Sequence, residues 1–122
     1  MIIEINQDAV AATGEPFFLR DQALLESALA SPQNHWQYGE EDIAVLAVSL
    51  LSAIARNHPF VQGNKRTAFT AAMMFLELNG YEFTHEDSTE LGMIVESLVE
   101  QRLSVREFTD YFASHVRLLD PS

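Results

Sequence analysis

Cysteine is absent from this sequence of 122 residues. The chain therefore forms no disulfide, offers no thiolate to a metal ion and has no cysteine nucleophile. Its fold must be stabilised by packing alone. Hydrophobic residues make up 48% of the chain and charged residues 20%, which is typical of a globular domain and not of a disordered tail. The length predicts a single domain over residues 1–122 that can bury a core.

Long apolar segments are lacking as well. The longest apolar run covers residues 43–55, which is too short to cross a bilayer and predicts a buried helix. No basic and apolar leader with a small-residue cleavage site opens the chain. We therefore expect a cytoplasmic protein without a membrane partner.

Positive charge is scarce and unevenly placed. The chain carries 7 lysine and arginine residues against 18 acidic residues, a net charge of −11, which repels nucleic-acid phosphates and argues against a direct nucleic-acid partner. Residues 43–76 nevertheless contain no acid, while Arg56, Arg66 and the only lysine, Lys65, fall within them. Two buried helices explain the missing acids, but they do not explain three cations clustered around one loop.

Capping residues and helix breakers predict the elements of the first third of the chain. Asn6 is a candidate N-cap for a helix that reaches about Thr13, and Asp21 is a candidate N-cap for a helix that Pro32 ends. Residues 31–42 then form a polar loop or a short hairpin that bears aromatic residues.

The next helix is apolar nearly all round, which predicts a central position in the fold. Asp42 or Glu41 begins it. We expect it to stop near Asn57, because the next residue, His58, precedes Pro59 and is therefore disfavoured in the helical conformation.

The rest of the chain continues as helices. Asn64 is a candidate N-cap for a helix that runs to Asn79, with Gly80 in the position of a C-cap. Two capping pairs mark the starts of the last helices: Thr84 with Asp87, and Ser104 with Glu107. No segment alternates long enough for a core strand, so we predict an all-α bundle of about six helices.

The cations lie in the stretch "NHPFVQGNKRTAF", residues 57–69, where a loop runs into the start of a helix. A helix N-terminus carries unpaired N–H groups and partial positive charge, so Lys65 and Arg66 there cost on the order of a few tenths of a kcal/mol each. The arrangement is favourable if an anion binds, because amides, ammonium and guanidinium then converge on it as they do on phosphates. Gly63 lets the backbone approach closely, and Phe60 is the expected apolar pin of the loop.

His58 lies across the same loop, at the end of the preceding helix. A neutral imidazole beside a bound phosphate can take a proton from an attacking hydroxyl, which makes His58 the candidate general base. Phosphoryl transfer needs mainly positioning and charge neutralisation, and this loop offers both. The competing interpretation is structural: a histidine–proline turn followed by two solvated cations.

The stretch "HPFVQGNKRTA" resembles the signature of the Fic/Doc family, whose Fic branch carries HPFx(D/E)GNGRxxR and whose Doc branch carries HxFxDxNKR. The segments "LRDQALLESALASPQ" (19–33) and "FLELNGYEF" (75–83) are similar to further parts of Doc proteins. Lys65 replaces the second glycine of the Fic signature and Phe69 replaces its second arginine. Both replacements favour the Doc branch.

The resemblance implies a Fic/Doc-like fold and a Doc (death on curing) toxin of a Phd/Doc-type toxin–antitoxin system. Doc toxins use ATP to phosphorylate a threonine of elongation factor Tu and so arrest translation, and a Phd-like antitoxin neutralises them. By analogy His58 is the general base, Asn64 orients the phosphates, and Lys65 and Arg66 hold them. The implied cofactor is ATP, with Mg²⁺ carried by the nucleotide.

Two positions of the motif differ from the family pattern. Gln62 stands where both branches usually place an acid that helps to hold Mg²⁺ or the nucleotide, and an uncharged amide is a poor ligand for a hard cation. Thr70 stands where the Doc branch has an asparagine. One alternative to a kinase is therefore a Doc-like binding module without catalysis, and the other is Fic-like AMP transfer to a protein hydroxyl.

The family has a flap that aligns the target protein. By the resemblance, this flap corresponds to the region before the central helix that contains His35, Trp36 and Tyr38. The alternative for Trp36 is that its ring folds back onto the core. We find no internal inhibitory helix of the (S/T)xxxE(G/N) type, so we expect restraint to come from a separate antitoxin. Glu40, Glu41, Asp42 and the acids of residues 82–90 are expected to form a solvated face and helix-start charges, and they can also attract a basic antitoxin segment.

Overall fold

Six helices and two short strands make up the chain over residues 2–14, 18–84 and 88–119, which are the residues that the computed structural model describes. This confirms the predicted all-α bundle. In chain order the elements are α1 (Ile2–Thr13), α2 (Gln22–Gln37), α3 (Ile43–Asn57), α4 (Asn64–Leu78), β1 (Tyr81–Phe83), α5 (Ser88–Val99), α6 (Val105–Ala113) and β2 (Val116–Leu118). No helix of the described ranges combines the length and apolarity needed to cross a bilayer.

Helix α3 lies at the centre, as its apolar surface predicts, and packs against α2, α4, α5 and α6. Its boundaries are also as predicted: Asp42 caps its start and it ends at Asn57. Helix α4 buries three small residues, Ala68, Ala71 and Ala72, which let its backbone approach α3 closely. The loop that joins these two tightly packed helices is therefore anchored at both ends.

The predicted end of α2 at Pro32 is wrong, because the helix continues to Gln37 with Pro32 inside it. A proline in a helix interior removes one hydrogen bond and crowds the preceding turn. Here Pro32 is buried, and α2 packs closely against α3. Packing of this turn against α3 outweighs the local cost, so the loop or hairpin predicted over residues 31–42 shrinks to the residues after Gln37.

The predicted N-cap role of Asn6 is also wrong. Helix α1 begins at Ile2, and Asn6 lies inside it with no exposed surface. Residues Ile2, Asn6 and Val10 follow one another at intervals of four, which places them on one face of the helix. All three are buried, since α1 packs against α4 along this face.

A small antiparallel sheet joins β1 to β2, with Glu82 opposite Arg117. Strands of three residues are too short to show an alternating pattern, so the sequence pattern does not predict them. Val116 begins β2. Asp87, assigned to a capping pair with Thr84, lies outside the described residues.

The capping box predicted at the start of α6 is confirmed. The Glu107 N–H donates to the Ser104 hydroxyl at 3.0 Å, and the Glu107 carboxylate accepts the Ser104 N–H at 3.1 Å. Replacing Ser104 with alanine should lower the free energy of unfolding by about 1 kcal/mol in a urea titration, because a first-turn N–H loses its partner. The matched variant Glu107→Gln keeps both bonds and should lose less; equal losses would contradict this account.

Candidate active site

The loop of residues 58–63, here called the motif loop, reverses the chain between α3 and α4. His58 is the C-cap of α3 and adopts the left-handed conformation, with φ 52° and ψ 58°, while its N–H donates to Ile54 at 3.3 Å. This conformation costs a residue other than glycine roughly 1 kcal/mol or more. The turn leaves the predicted general base exposed at the loop's edge while Pro59, the next residue, is buried.

Phe60 lies in the hydrophobic core with 1% of its surface exposed, which confirms it as the apolar pin of the loop. The side-chain amide of Asn64 closes the loop around it: its oxygen accepts the Phe60 N–H at 3.0 Å and its nitrogen donates to the Phe60 carbonyl at 2.7 Å. Asn64 is itself buried. The predicted role of Asn64 in orienting phosphates remains a prediction, and these two bonds give it a further role in shaping the loop.

Residues 18–21, here called the strap, run alongside the motif loop. Leu19 forms an isolated antiparallel bridge with Phe60, and the N–H groups of Arg20 and Asp21 both donate to the Pro59 carbonyl, at 2.7 and 3.0 Å. Asp21 also caps α2, as predicted, by accepting the Leu24 N–H at 3.0 Å. The strap therefore fixes the position of the motif loop relative to α2.

Arg20 is a further residue of the site, and its place there was not predicted from the sequence. Its Nε donates to the His58 carbonyl at 2.7 Å and its Nη2 donates to the Asn57 carbonyl at 2.8 Å. A cation is favourable at the C-terminus of α3, where carbonyl groups lack helical partners. These two bonds hold the strained residue His58 in place. In the sequence, the only indication of such a role was that Arg20 lies in the segment "LRDQALLESALASPQ", which is similar to a part of Doc proteins.

Asn6 is a second residue of this kind, and it holds the other end of the motif loop. Its amide nitrogen donates to the Gln62 carbonyl at 2.8 Å and to the Thr67 hydroxyl at 3.0 Å. Asn6 and Thr67 are both fully buried. Helix α1 thus ties the last part of the loop to the first turn of α4.

The N-cap of α4 is Gly63 and not the predicted Asn64, which is the first helical residue. Gly63 has φ 74°, a conformation that glycine adopts without steric cost. It has no side chain with which to bond the N–H groups of the first turn. Lys65 and Arg66 are exposed on this turn, and no acid precedes them there. N–H groups that lack intrahelical partners and two cations are thus combined at one helix end.

Lys65 has an acidic neighbour that the sequence did not indicate. Its ammonium lies 3.5 Å from the carboxylate of Glu96 on α5, and both side chains are about half exposed. An exposed pair of this kind is worth little, so an incoming phosphate can compete for Lys65. Residues 43–76 contain no acid, but the fold brings the carboxylate of Glu96 close to Lys65.

The remaining predicted residues lie on the loop, on α4 and on α2. Gln62 is exposed and Thr70 is half-buried on α4. His35 and Trp36 belong to the last turn of α2, which corrects the predicted loop, and Tyr38 is its C-cap. Trp36 is 62% exposed, so its ring does not fold fully onto the core.

Trp36 borders an apolar groove of about 720 Å³ between α1, α2, α3 and α4. Pro32, Leu46 and Phe75 are among the residues that line it. None of the residues that line this groove belongs to the motif loop. The groove is therefore a feature separate from the candidate active site.

Comparison with known proteins identifies the family of this chain. The model of the Fic/DOC family matches residues 1–76, which include α1, the strap, the motif loop and most of α4. The chain belongs to the Fic/Doc family.

Two relatives are similar to this chain. A protein named Toxin Doc from Mycolicibacterium smegmatis (strain ATCC 700084 / mc(2)155) is 45% identical over 74 residues, which are 58% of this chain and 56% of that protein. A protein named Protein kinase doc from Escherichia phage P1 is 31% identical over 93 residues, which are 75% of this chain and 72% of that protein. The chain thus spans little more than half the length of the mycobacterial relative.

Proposed function

We propose that this chain is a Doc-type toxin that transfers the γ-phosphoryl group of ATP to a hydroxyl of a target protein. The observation that carries the proposal is that one short loop, anchored at both ends, joins an exposed His58 to the side-chain-free N-cap Gly63 of α4. The names of the two relatives, a toxin and a protein kinase, support it.

The chemistry follows from these positions. The first-turn N–H groups of α4, with Lys65 and Arg66, hold the phosphates of ATP, and Gly63 allows close approach. His58 takes the proton of the attacking hydroxyl. The bond from the hydroxyl oxygen to the γ-phosphorus forms as the bond from that phosphorus to the β–γ bridging oxygen breaks, and ADP leaves. Fixed positive charge stabilises the transferred group.

Mg²⁺ is proposed to arrive with the nucleotide. The side chain of Gln62 is a neutral amide, so this position of the loop supplies no carboxylate to a hard cation. The backbone carbonyl of Gln62 already accepts a hydrogen bond from Asn6. When bound, the ion neutralises charge on the phosphate oxygens. The residues of the motif loop thus fit a nucleotide that brings its own metal better than they fit a resident metal ion.

We propose a threonine of elongation factor Tu as the target, translation arrest as the consequence, and a Phd-like antitoxin as the partner that neutralises the toxin. The net charge of −11 and the exposed acid Glu41 favour a basic antitoxin segment. Two alternatives have specific support. Membership of the Fic/Doc family allows AMP transfer. The replacement of the usual acid by Gln62 and of the usual asparagine by Thr70 favours a binding module without catalysis.

Labelled ATP distinguishes these three functions without assuming a target. The purified chain is incubated with bacterial extract and ATP labelled at either the γ- or the α-phosphorus, and then with purified elongation factor Tu. A kinase transfers only the γ-label, and the intact mass of the factor rises by one phosphoryl group. Transfer of the α-label would establish AMP transfer, and transfer of neither label would favour the binding module.

A further inference from the structure

The side chain of Asn6 makes contacts that packing alone does not require. It is fully buried on α1, yet its amide reaches residues 56 and 61 positions further along the chain. Because the Gln62 carbonyl can only accept a hydrogen bond, the amide nitrogen of Asn6 must face it. Both N–H bonds of that nitrogen are then used, one by Gln62 in the motif loop and the other by Thr67 in α4.

The bond to Gln62 sets the direction of the next N–H group. A peptide unit is planar and trans, so its carbonyl and its N–H point in opposite directions. Since the Gln62 carbonyl points towards Asn6, the Gly63 N–H points away from α1. This N–H immediately precedes the N–H groups of the first turn of α4, which have no partners within the helix. A glycine tolerates both signs of φ, so the peptide between Gln62 and Gly63 needs such an external restraint to keep one orientation.

The other polar atom of the Asn6 side chain indicates that the two bonds from its nitrogen have a role beyond packing. Its Oδ1 is buried and has no hydrogen-bond partner within the part of the chain that the structure describes. A buried acceptor without a partner costs stability, which a side chain present for packing alone would avoid.

We propose that Asn6 is a positioning residue that orients the Gly63 N–H, and with it the phosphate-binding end of α4. This inference rests on the proposed phosphoryl transfer from ATP. Asn6 touches no reacting atom, so it acts on nucleotide affinity through the peptide between Gln62 and Gly63. Loss of Asn6 should therefore weaken ATP binding more than it slows the transfer step.

The test is the dissociation constant for ATP, measured by calorimetry on the full chain. Asn6→Asp has nearly the same shape but presents a carboxylate oxygen to the Gln62 carbonyl, and it should weaken ATP binding by about tenfold or more. The Michaelis constant for ATP should rise by a similar factor, with a smaller change in kcat. If Asn6→Asp does not fold, as judged by circular dichroism, Asn6→Ala replaces it with the same expectation.

Thr67→Val is the matched control, because it removes the second partner of Asn6 and leaves the bond to Gln62. It should bind ATP with nearly the wild-type affinity. The inference is overturned if Asn6→Asp binds ATP as the wild type does, if Thr67→Val loses as much affinity, or if the wild type binds no ATP. A wild type that binds ATP and depends on Asn6, yet transfers no label to any protein, would overturn the proposed function and leave the role of Asn6 standing.

Discussion

Replacing His58 with asparagine is expected to lower the rate of phosphoryl transfer by about 10²- to 10⁴-fold, the usual contribution of a general base. Growth arrest by the expressed chain should disappear with it. Asparagine is the suitable substitute because it tolerates the left-handed conformation that His58 adopts, at φ 52°, but cannot accept the proton. The measurements are the initial rate of label transfer from γ-labelled ATP and the growth of cells that express the variant.

Two further measurements separate lost chemistry from lost structure. His58→Asn should unfold at nearly the wild-type urea concentration and bind ATP with nearly the wild-type affinity, because the phosphate-binding groups belong to the first turn of α4 and its N-cap Gly63. His58→Gly should be equally inactive and at least as stable, since glycine adopts this conformation freely. Transfer at the wild-type rate by either variant would show that His58 only shapes the turn, and the binding-module interpretation would then be preferred.

The conformation of His58 connects the fold to the proposed chemistry. A strained residue persists only where its surroundings determine it fully. Here the Arg20 guanidinium binds the carbonyl groups of Asn57 and His58, and the Arg20 N–H holds Pro59. The strap therefore fixes the backbone on both sides of the imidazole-bearing residue. A base held in this way needs little rearrangement when a hydroxyl approaches.

Local signals predicted the elements whose ends are set by local chemistry. The start of α3 at Asp42 follows from a side chain that bonds the first turn, and its end at Asn57 follows from the restriction that Pro59 places on His58. The capping box of Ser104 and Glu107 was likewise visible as a spacing. In each case the atoms that decide the boundary lie within a few residues of it.

The errors arose where distant residues decide the outcome. Asn6 is a residue type typical of an N-cap, but burial against α4 places it inside α1, and the interval of four from Ile2 to Val10 was the overlooked signal. Pro32 is a helix breaker whose local cost is outweighed by the packing of α2 against α3. Short-range propensity does not include either contact.

The residues of the candidate site divide in the same way, into those that the sequence predicts and those that it does not. The motif residues from His58 to Arg66 were found because they are contiguous in the sequence. The residues that hold them, Arg20 and Asn6, and the carboxylate of Glu96 beside Lys65, come from other elements, and no spacing along the chain places them there. Only the folded chain brings these groups to the motif.

Replacing Phe60 with alanine is expected to have the largest effect on stability, a loss of about 3–5 kcal/mol in the free energy of unfolding. The side chain is 1% exposed within the core, so its removal loses buried apolar area and leaves a cavity that the packed helices fill only partly. A domain of this size is stable by roughly 5–15 kcal/mol, so the loss is a large fraction of the total. Urea denaturation followed by circular dichroism measures it.

The adjacent residue provides the matched control. Val61 is 49% exposed on the same loop, so Val61→Ala should change the free energy of unfolding by no more than about 0.5 kcal/mol. Phe60→Leu, which fills part of the space, should lose less than Phe60→Ala. Equal losses for Phe60→Ala and Val61→Ala would contradict the role of Phe60 as the pin of the motif loop. A large loss for Phe60→Ala alone would mean that the loop carrying His58 is held by the same core that holds the helices.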